Sequence, residues 1–352
     1  MKQKSLWFVA IMLCFSSVVL LSCSNRVKPS EIAEMEPIPK KPVSTNEKGY
    51  AVYTGIFDEL TDEKEPARII IWEKDNLLLA RYQEKDYELT AFEEHQYAIK
   101  DSRLFDSNSM VFAGILKTKA TVCKIGTHLF SRYYAPIENY PPLQEGAVAK
   151  QLETTQLYAK DQAFPQRELI PISKKKPSIQ FFLRFNTKNN ILHEVISPLK
   201  TPYLTTQPAE ALLKVQDDLE KEGLSLMVYQ AYVPWYAEQT YYQLIQSLKI
   251  EKAYWELYQK NTFSIGNSVD VGLFDQKSQT LVSFGSEYLD ESPEADLSFF
   301  GGTSLQRYYK LLLCNTMKKY GFSPYSSKWW GYTFKTKETL SPLNQIPEES
   351  NP

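Results

Sequence analysis

NTFSIGNSVDVGL, residues 261–273, and SSKWWGYTF, residues 326–334, are the two stretches on which the fold turns. In the first, Asn267 to Leu273 alternates as a strand does. Asp270 lies inside that otherwise apolar run, so its charge must be paired or solvated. Gly266 suits a tight turn just before it. In the second, Trp329 and Trp330 stand side by side and are large enough to serve a core.

Together these stretches resemble the two halves of the metal site in the D-alanyl-D-alanine dipeptidases, the VanX/DdpX family of zinc peptidases. That family's first half reads SxHxxGxAxD and supplies a histidine and an aspartate to zinc. Its second, EWWH in most members, supplies the general-base glutamate and the last histidine. Gly266, Ser268, Asp270, Trp329 and Trp330 keep the frame. Phe263 stands at the first histidine, Lys328 at the glutamate and Gly331 at the second histidine. Gln230-Ala231-Tyr232-Val233-Pro234 occupies the place of D-A/C-Y-R-P, whose arginine stabilises the developing oxyanion, so Val233 replaces that arginine. Phe284 to Asp290 resembles MGTxFD, whose aspartate receives the substrate's amino group; Asp290 is displaced by one position. IQFFLRF, residues 179–185, resembles the family's opening strand. The resemblance spans residues 168–336.

The resemblance implies zinc, and the residues speak against it. A catalytic zinc takes three protein ligands and an open position, and of the family's set only Asp270 remains. The chain has three histidines, at 95, 128 and 193, and none flanks Asp270 or the tryptophan pair. Lys328 as an ammonium cannot take a proton from water, and it would repel a cation. The expectation is a catalytically dead dipeptidase-like domain without cofactor, its vestigial site formed by Val233, Phe263, Asp270, Lys328 and Gly331. Tyr232, Ser264, Asp290, Trp329 and Trp330 are the candidates for the substrate cleft. Lys328 is expected to pair with Asp270 in place of the metal. Binding of cell-wall peptides and a purely structural role both stay open. The alternative is an active dipeptidase or peptidoglycan peptidase with an altered site, using a nucleophile such as Ser264, for which no Ser–His pairing is visible.

Outward from this core, the fold class is α+β: a mainly antiparallel sheet flanked by helices, preceded by a small all-β domain. Residues 49–136 carry short runs rich in Ile, Val, Phe and Tyr, such as Arg68–Trp72, Leu77–Tyr82 and Tyr87–Phe92, broken by polar turns. Residues 137–167 read as a connector with one helix, and 337–352 as a loose tail. In residues 168–336, Pro208 and Gly223 bracket a helix with Leu212, Val215 and Leu219 on one face. Trp235–Leu248 and Ser304–Tyr320 give two more. Cys123 and Cys314 lie in different domains and read as free thiols or a pair.

A formal net charge of −2 gives no reason to expect a nucleic-acid partner. Residues 1–22 read as a signal peptide, with Lys2 and Lys4 before the apolar Leu6–Leu21. Leu20-Leu21-Ser22-Cys23 resembles a lipobox, which implies lipidation of Cys23 and attachment to the membrane. Residues 23–48, with several prolines and few apolar residues, read as a disordered tether. The expected setting is the bacterial envelope, facing periplasm or exterior, with peptidoglycan peptides or another envelope protein as partner. Cys23→Ser is expected to abolish metabolic lipid labelling and to move the protein out of the membrane fraction; label retained in the variant would refute the assignment.

Overall fold

Residues 40–42, 47–61, 66–116, 119–133, 143–247, 262–290 and 292–348 are described by the computed structural model. Cys23, the signal peptide and nearly all of the tether lie outside them. Among the described residues no helix is long and apolar enough to cross a membrane.

Polar dipeptides between apolar runs set the N-terminal architecture. β1 (Gly55–Glu59), β2 (Arg68–Lys74), β3 (Leu77–Tyr82), β4 (Lys85–Glu93), β5 (Gln96–Ile99), β6 (Ser109–Leu116), β7 (Lys119–Ile125) and β8 (His128–Arg132) form an antiparallel meander. It closes into a barrel where Phe57, Asp58 and Glu59 of β1 face Arg132, Ser131 and Phe130 of β8. Asp75-Asn76 and Gln83-Glu84 take positive φ at both positions, the turn geometry that matches strand twist in two-residue hairpins. Phe57, Ile69, Ile71, Leu78, Ala80, Met110, Phe112 and Phe130 fill the barrel with buried apolar side chains. β7 and β8 are separated at Gly126, whose φ of 57° permits a turn.

In the C-terminal half, β9 (Leu169–Pro171) pairs with β11 (Tyr203–Thr205) in a separate ribbon. The main sheet has the order β10 (Gln180–Phe181), β12 (Leu224–Gln230), β13 (Ser268–Asp275), β16 (Gly331–Phe334), β15 (Phe322–Pro324), with β14 (Thr280–Leu281) on the end of β13. Only β10–β12 is parallel. Helices Thr206–Glu220 and Ser304–Lys319 share one core with the sheet through Leu212, Val215, Leu219, Leu313 and Met317. Helices Ala147–Lys160 and Trp235–Ser247 build a second cluster, which holds Phe185, Val233 and Phe263. The α+β arrangement with a preceding all-β unit is therefore present.

One finding differs from the reading of the sequence. The segment read as a loose tail is bound into the domain over residues 343–345. Leu343 is fully buried and its N–H donates to Ser264 O, while Gln345 bonds both Tyr232 and Arg167. Burial of one leucine and satisfaction of these backbone groups outweigh the prolines around them. Cys123 and Cys314 are both buried, and no disulfide joins them, as one of the two readings of the sequence has it.

β2 is buried on both faces because its outer face docks on the C-terminal half. Glu73 accepts from Ser304 N at 2.6 Å, at the start of the Ser304–Lys319 helix, and Arg307 donates to Glu73 O. Trp72 meets Phe300 edge-on, and Arg81 lies over the same ring. A second contact centres on Glu294, which accepts from Ile56 N and has Arg132 Nη1 at 3.8 Å and Lys119 Nζ at 4.0 Å. Burial pushes the Glu294 carboxyl up, and the two cations oppose that. Glu294→Ala removes the carboxylate and leaves two half- to fully buried cations facing each other, an effect of about 3–5 kcal/mol. A lowered urea midpoint is expected, with Glu294→Gln losing less because it keeps the bond to Ile56; equal midpoints for all three proteins would show the contact to be energetically idle.

Candidate functional site

Asp270 sits at the centre of the main sheet, between Gln230 of β12 and Gly331 of β16. It is fully buried. Such a carboxylate must be supplied with donors by the fold, and two tyrosines do this. Tyr288 donates to Oδ2 at 2.6 Å, and Tyr325 makes a short bond to Oδ1. Burial drives the Asp270 carboxyl up to about 7, with the two phenol hydrogen bonds acting in the opposite direction.

Lys328 does not perform the task expected of it. Its Nζ bonds Asp296 Oδ1 at 3.0 Å and Ser292 O at 3.0 Å. The residue forms a bridge with Asp296 in the backbone as well, so its side chain is led toward the 292–296 segment. Both Asp270 oxygens are already taken by hydroxyls, which satisfy the carboxylate without a second buried charge.

Tyr325 also covers Gly331, the position at which the resemblance expects the family's second histidine. A Cβ added to Gly331 would fall 2.8 Å from Tyr325 Cε2 and nearer still to Cζ. Phe263 lies edge-on to the same tyrosine, with ring centroids 6.4 Å apart, and is itself fully buried. The turn that carries Phe263 is fixed by Glu238, a buried carboxylate in the first turn of the Trp235–Ser247 helix. It accepts from Phe263 N at 2.8 Å and Ser264 N at 3.0 Å, and burial raises its pKa. Val233 is fully buried in the same apolar cluster. These residues do not fit zinc: a phenyl ring, a glycine covered by a phenol and an ion-paired lysine offer it no donor beside Asp270. Among the described residues, no group of three or more His, Cys, Asp or Glu side chains could hold a metal ion.

The remaining candidates are dispersed. Trp329 stacks on Phe284 at 4.0 Å and donates to Ser286 Oγ, and Trp330 meets Tyr288 edge-on. Both are buried and support the site from within the core rather than line a cleft. Tyr232 is buried and bonded through its hydroxyl to Gln345, and Ser264 is buried behind the Phe263 turn. Neither is open to a substrate. Asp290 accepts from Ser292 N and caps its own loop. His95 pairs with Tyr53, His128 with Glu59, and His193 is exposed in a loop.

The residues that sequence reasoning missed are Tyr288, Tyr325, Glu238 and Arg184. Tyr288 stacks on Tyr229 at 4.5 Å, and Arg184 lies over both rings. Glu238 carries a faint signal, an acidic residue amid the buried face of an amphipathic helix. Nothing local singles out the tyrosines among the 23 in the chain.

Residues 166–347 match the family described as D-ala-D-ala dipeptidase. No curated protein matches the chain.

The raised Asp270 pKa has a readable consequence. A carboxyl whose folded pKa lies above its unfolded value contributes stability below the unfolded value and loses it as pH rises through the folded one. From an ordinary 3.8 to about 7, the loss amounts to about 4 kcal/mol. Denaturant titrations across pH 4–8 should show the wild type losing more stability than Asp270→Asn; parallel pH profiles would contradict this account.

Proposed function

Because this chain belongs to the D-Ala-D-Ala dipeptidase family, we propose that it keeps the family's fold without its hydrolysis and serves as a lipid-anchored binding module of the bacterial cell envelope. The observation that carries this reading is the pair of tyrosines on Asp270. The family's first half of the site leaves one ligand here, and both of its oxygens are occupied by phenols of the same chain. Loss of hydrolysis follows from four positions at once: Phe263, Lys328 and Gly331 remove two ligands and the base, and Val233 removes the oxyanion donor. Each such group is worth orders of magnitude in rate. Lys328 neutralised by Asp296 cannot act as a base.

The anchoring half of the proposal rests on Leu20-Leu21-Ser22-Cys23 and the polar, proline-bearing stretch that follows. A tether of that composition holds a folded unit off the bilayer and within reach of cell-wall peptides. Retention of the dipeptidase scaffold, with its helices and sheet intact, favours peptides of that chemistry as ligand.

Purified full-length protein is expected to retain no stoichiometric zinc and to release no D-alanine from D-Ala-D-Ala. One zinc per chain by elemental analysis, or turnover abolished by a chelator, would overturn the proposal in favour of an active enzyme with an altered site. Restoring Arg, His, Glu and His at 233, 263, 328 and 331 should still fail to bind zinc, since Tyr325 occupies the space of the last histidine. Adding Tyr325→Gly to those four substitutions is the arrangement expected to take up the metal. Zinc uptake by the four without the fifth would show that Tyr325 is no obstacle.

A further inference from the structure

Arg184 is the cation of this domain whose partners are hardest to explain by folding alone. Its guanidinium lies over three rings, 5.1 Å from the centroid of Phe182, 5.3 Å from Tyr288 and 5.7 Å from Tyr229. Its Nε is buried and has no hydrogen-bond partner among the described residues. Nη1 makes one long bond, 3.4 Å, to Asn189 O. Among the described residues no carboxylate lies within ion-pair distance, in contrast to Arg68 and Arg81, each held by an aspartate at 2.6–2.7 Å. Aromatic faces attract a guanidinium, but they do not satisfy its in-plane N–H groups, which are built to grip a planar anion by two hydrogen bonds.

The same residue adjoins an open sheet edge. β10 pairs with β12 on one side only, and no described strand covers its other side. Phe182 N donates to Val228 O, so by strand alternation the N–H and C=O of Phe181 point away from the sheet. Phe181 and Phe182 are both about two-fifths exposed, at 41% and 42%. The Phe182 ring, which lies beside the guanidinium, is therefore open to solvent on one side. An unpaired edge takes an extended chain as an added strand, and a positive terminus at its end selects one that finishes in a carboxylate.

We propose that the β10 edge and Arg184 form a binding site for the C-terminal end of an extended peptide. Phe181 gives and receives the backbone hydrogen bonds, and the Arg184 guanidinium takes the terminal carboxylate once the Phe182 ring swings aside. The proposal rests on the reading of this domain as a binder rather than a hydrolase, and it adds where and by which group the peptide is held. Through Tyr288, which stacks under Arg184 and bonds Asp270, the bound end lies over the former metal position without entering it.

Titration of the full chain with tri-alanine, in the L and D series, is the test. The free-carboxylate peptide of at least one series should saturate, and its C-terminal amide should bind at least tenfold more weakly. Arg184→Gln should bring the carboxylate peptide down to the affinity of the amide, and Arg184→Lys should restore part of it. Phe181→Pro removes the outward N–H at a position where an edge strand tolerates proline, and should weaken both peptides alike. Melting temperatures of the variants exclude misfolding as the cause. Equal binding of acid and amide, an Arg184→Gln protein that binds unchanged, or no saturation by either series would each overturn the site. D-alanine release is read in the same samples: cleavage sinks the binder reading itself, whereas absent cleavage with absent binding removes only this site.

Discussion

A buried carboxylate at the centre of the main sheet is the constraint around which this domain is arranged. Asp270 cannot be left bare, and it cannot move, since its strand pairs on both sides. In a zinc peptidase the metal answers that demand. Here two phenols answer it, one from the 284–290 loop and one from the turn ahead of the tryptophan pair. Much of the surrounding chain follows from delivering those hydroxyls. Tyr288 needs a flat neighbour and finds Tyr229; Trp330 closes its edge, and Trp329 stacks under Phe284 at the start of the loop. Neutral donors avoid the desolvation that a second buried charge would bring, which explains why Lys328 serves Asp296 at the periphery instead.

The barrel bears on the same loop from outside. Lys119, at the start of β7, donates to Gly285 O, three residues from Tyr288, and reaches toward Glu294 beyond it. Lys310 holds the other side of that segment through Glu294 O and Asp296 O, and burial lowers its pKa to about 8. Residues 285–296 are thus gripped by cations from both halves of the protein, with Glu294 as the buried carboxylate common to them. Backbone carbonyls accept most of the hydrogen bonds from these cations. The all-β half is consequently a structural support for the loop that carries Tyr288, and the coupling runs through named hydrogen bonds rather than through apolar contact alone.

How far the sequence could be read differs from one element to another, for physical reasons. Helices with full apolar stripes, such as Thr206–Glu220, were readable to within about three residues at each end, since pattern and boundary signals agree there. Strands β2, β3 and β4 were readable because polar dipeptides separate them; β1 and β5, at five and four residues, are too short to show a period. Closure of the barrel depends on pairing between strands some seventy residues apart, which no local pattern encodes. In the site, the departures from the family's motif at Val233, Phe263, Lys328 and Gly331 were legible by position. What filled the space was not. Tyr325 and Lys328 sit three residues apart, and only the packed structure decides which of them turns toward Asp270 and which toward Asp296. Residues 343–345 illustrate the same limit: prolines suggested looseness, and one buried leucine with a bonded glutamine prevailed.

The Tyr325 ring over Gly331 ties two positions of the site together. A histidine placed at 331 would meet that ring first, so the change is harmful on its own. Trimming Tyr325 first would expose one oxygen of a buried carboxylate, which is harmful as well. Each of these changes is thus opposed by the residue that the other must remove, and the two are coupled by contact. The two residues form an interlock: neither changes alone without harm, and only a paired change would free the position.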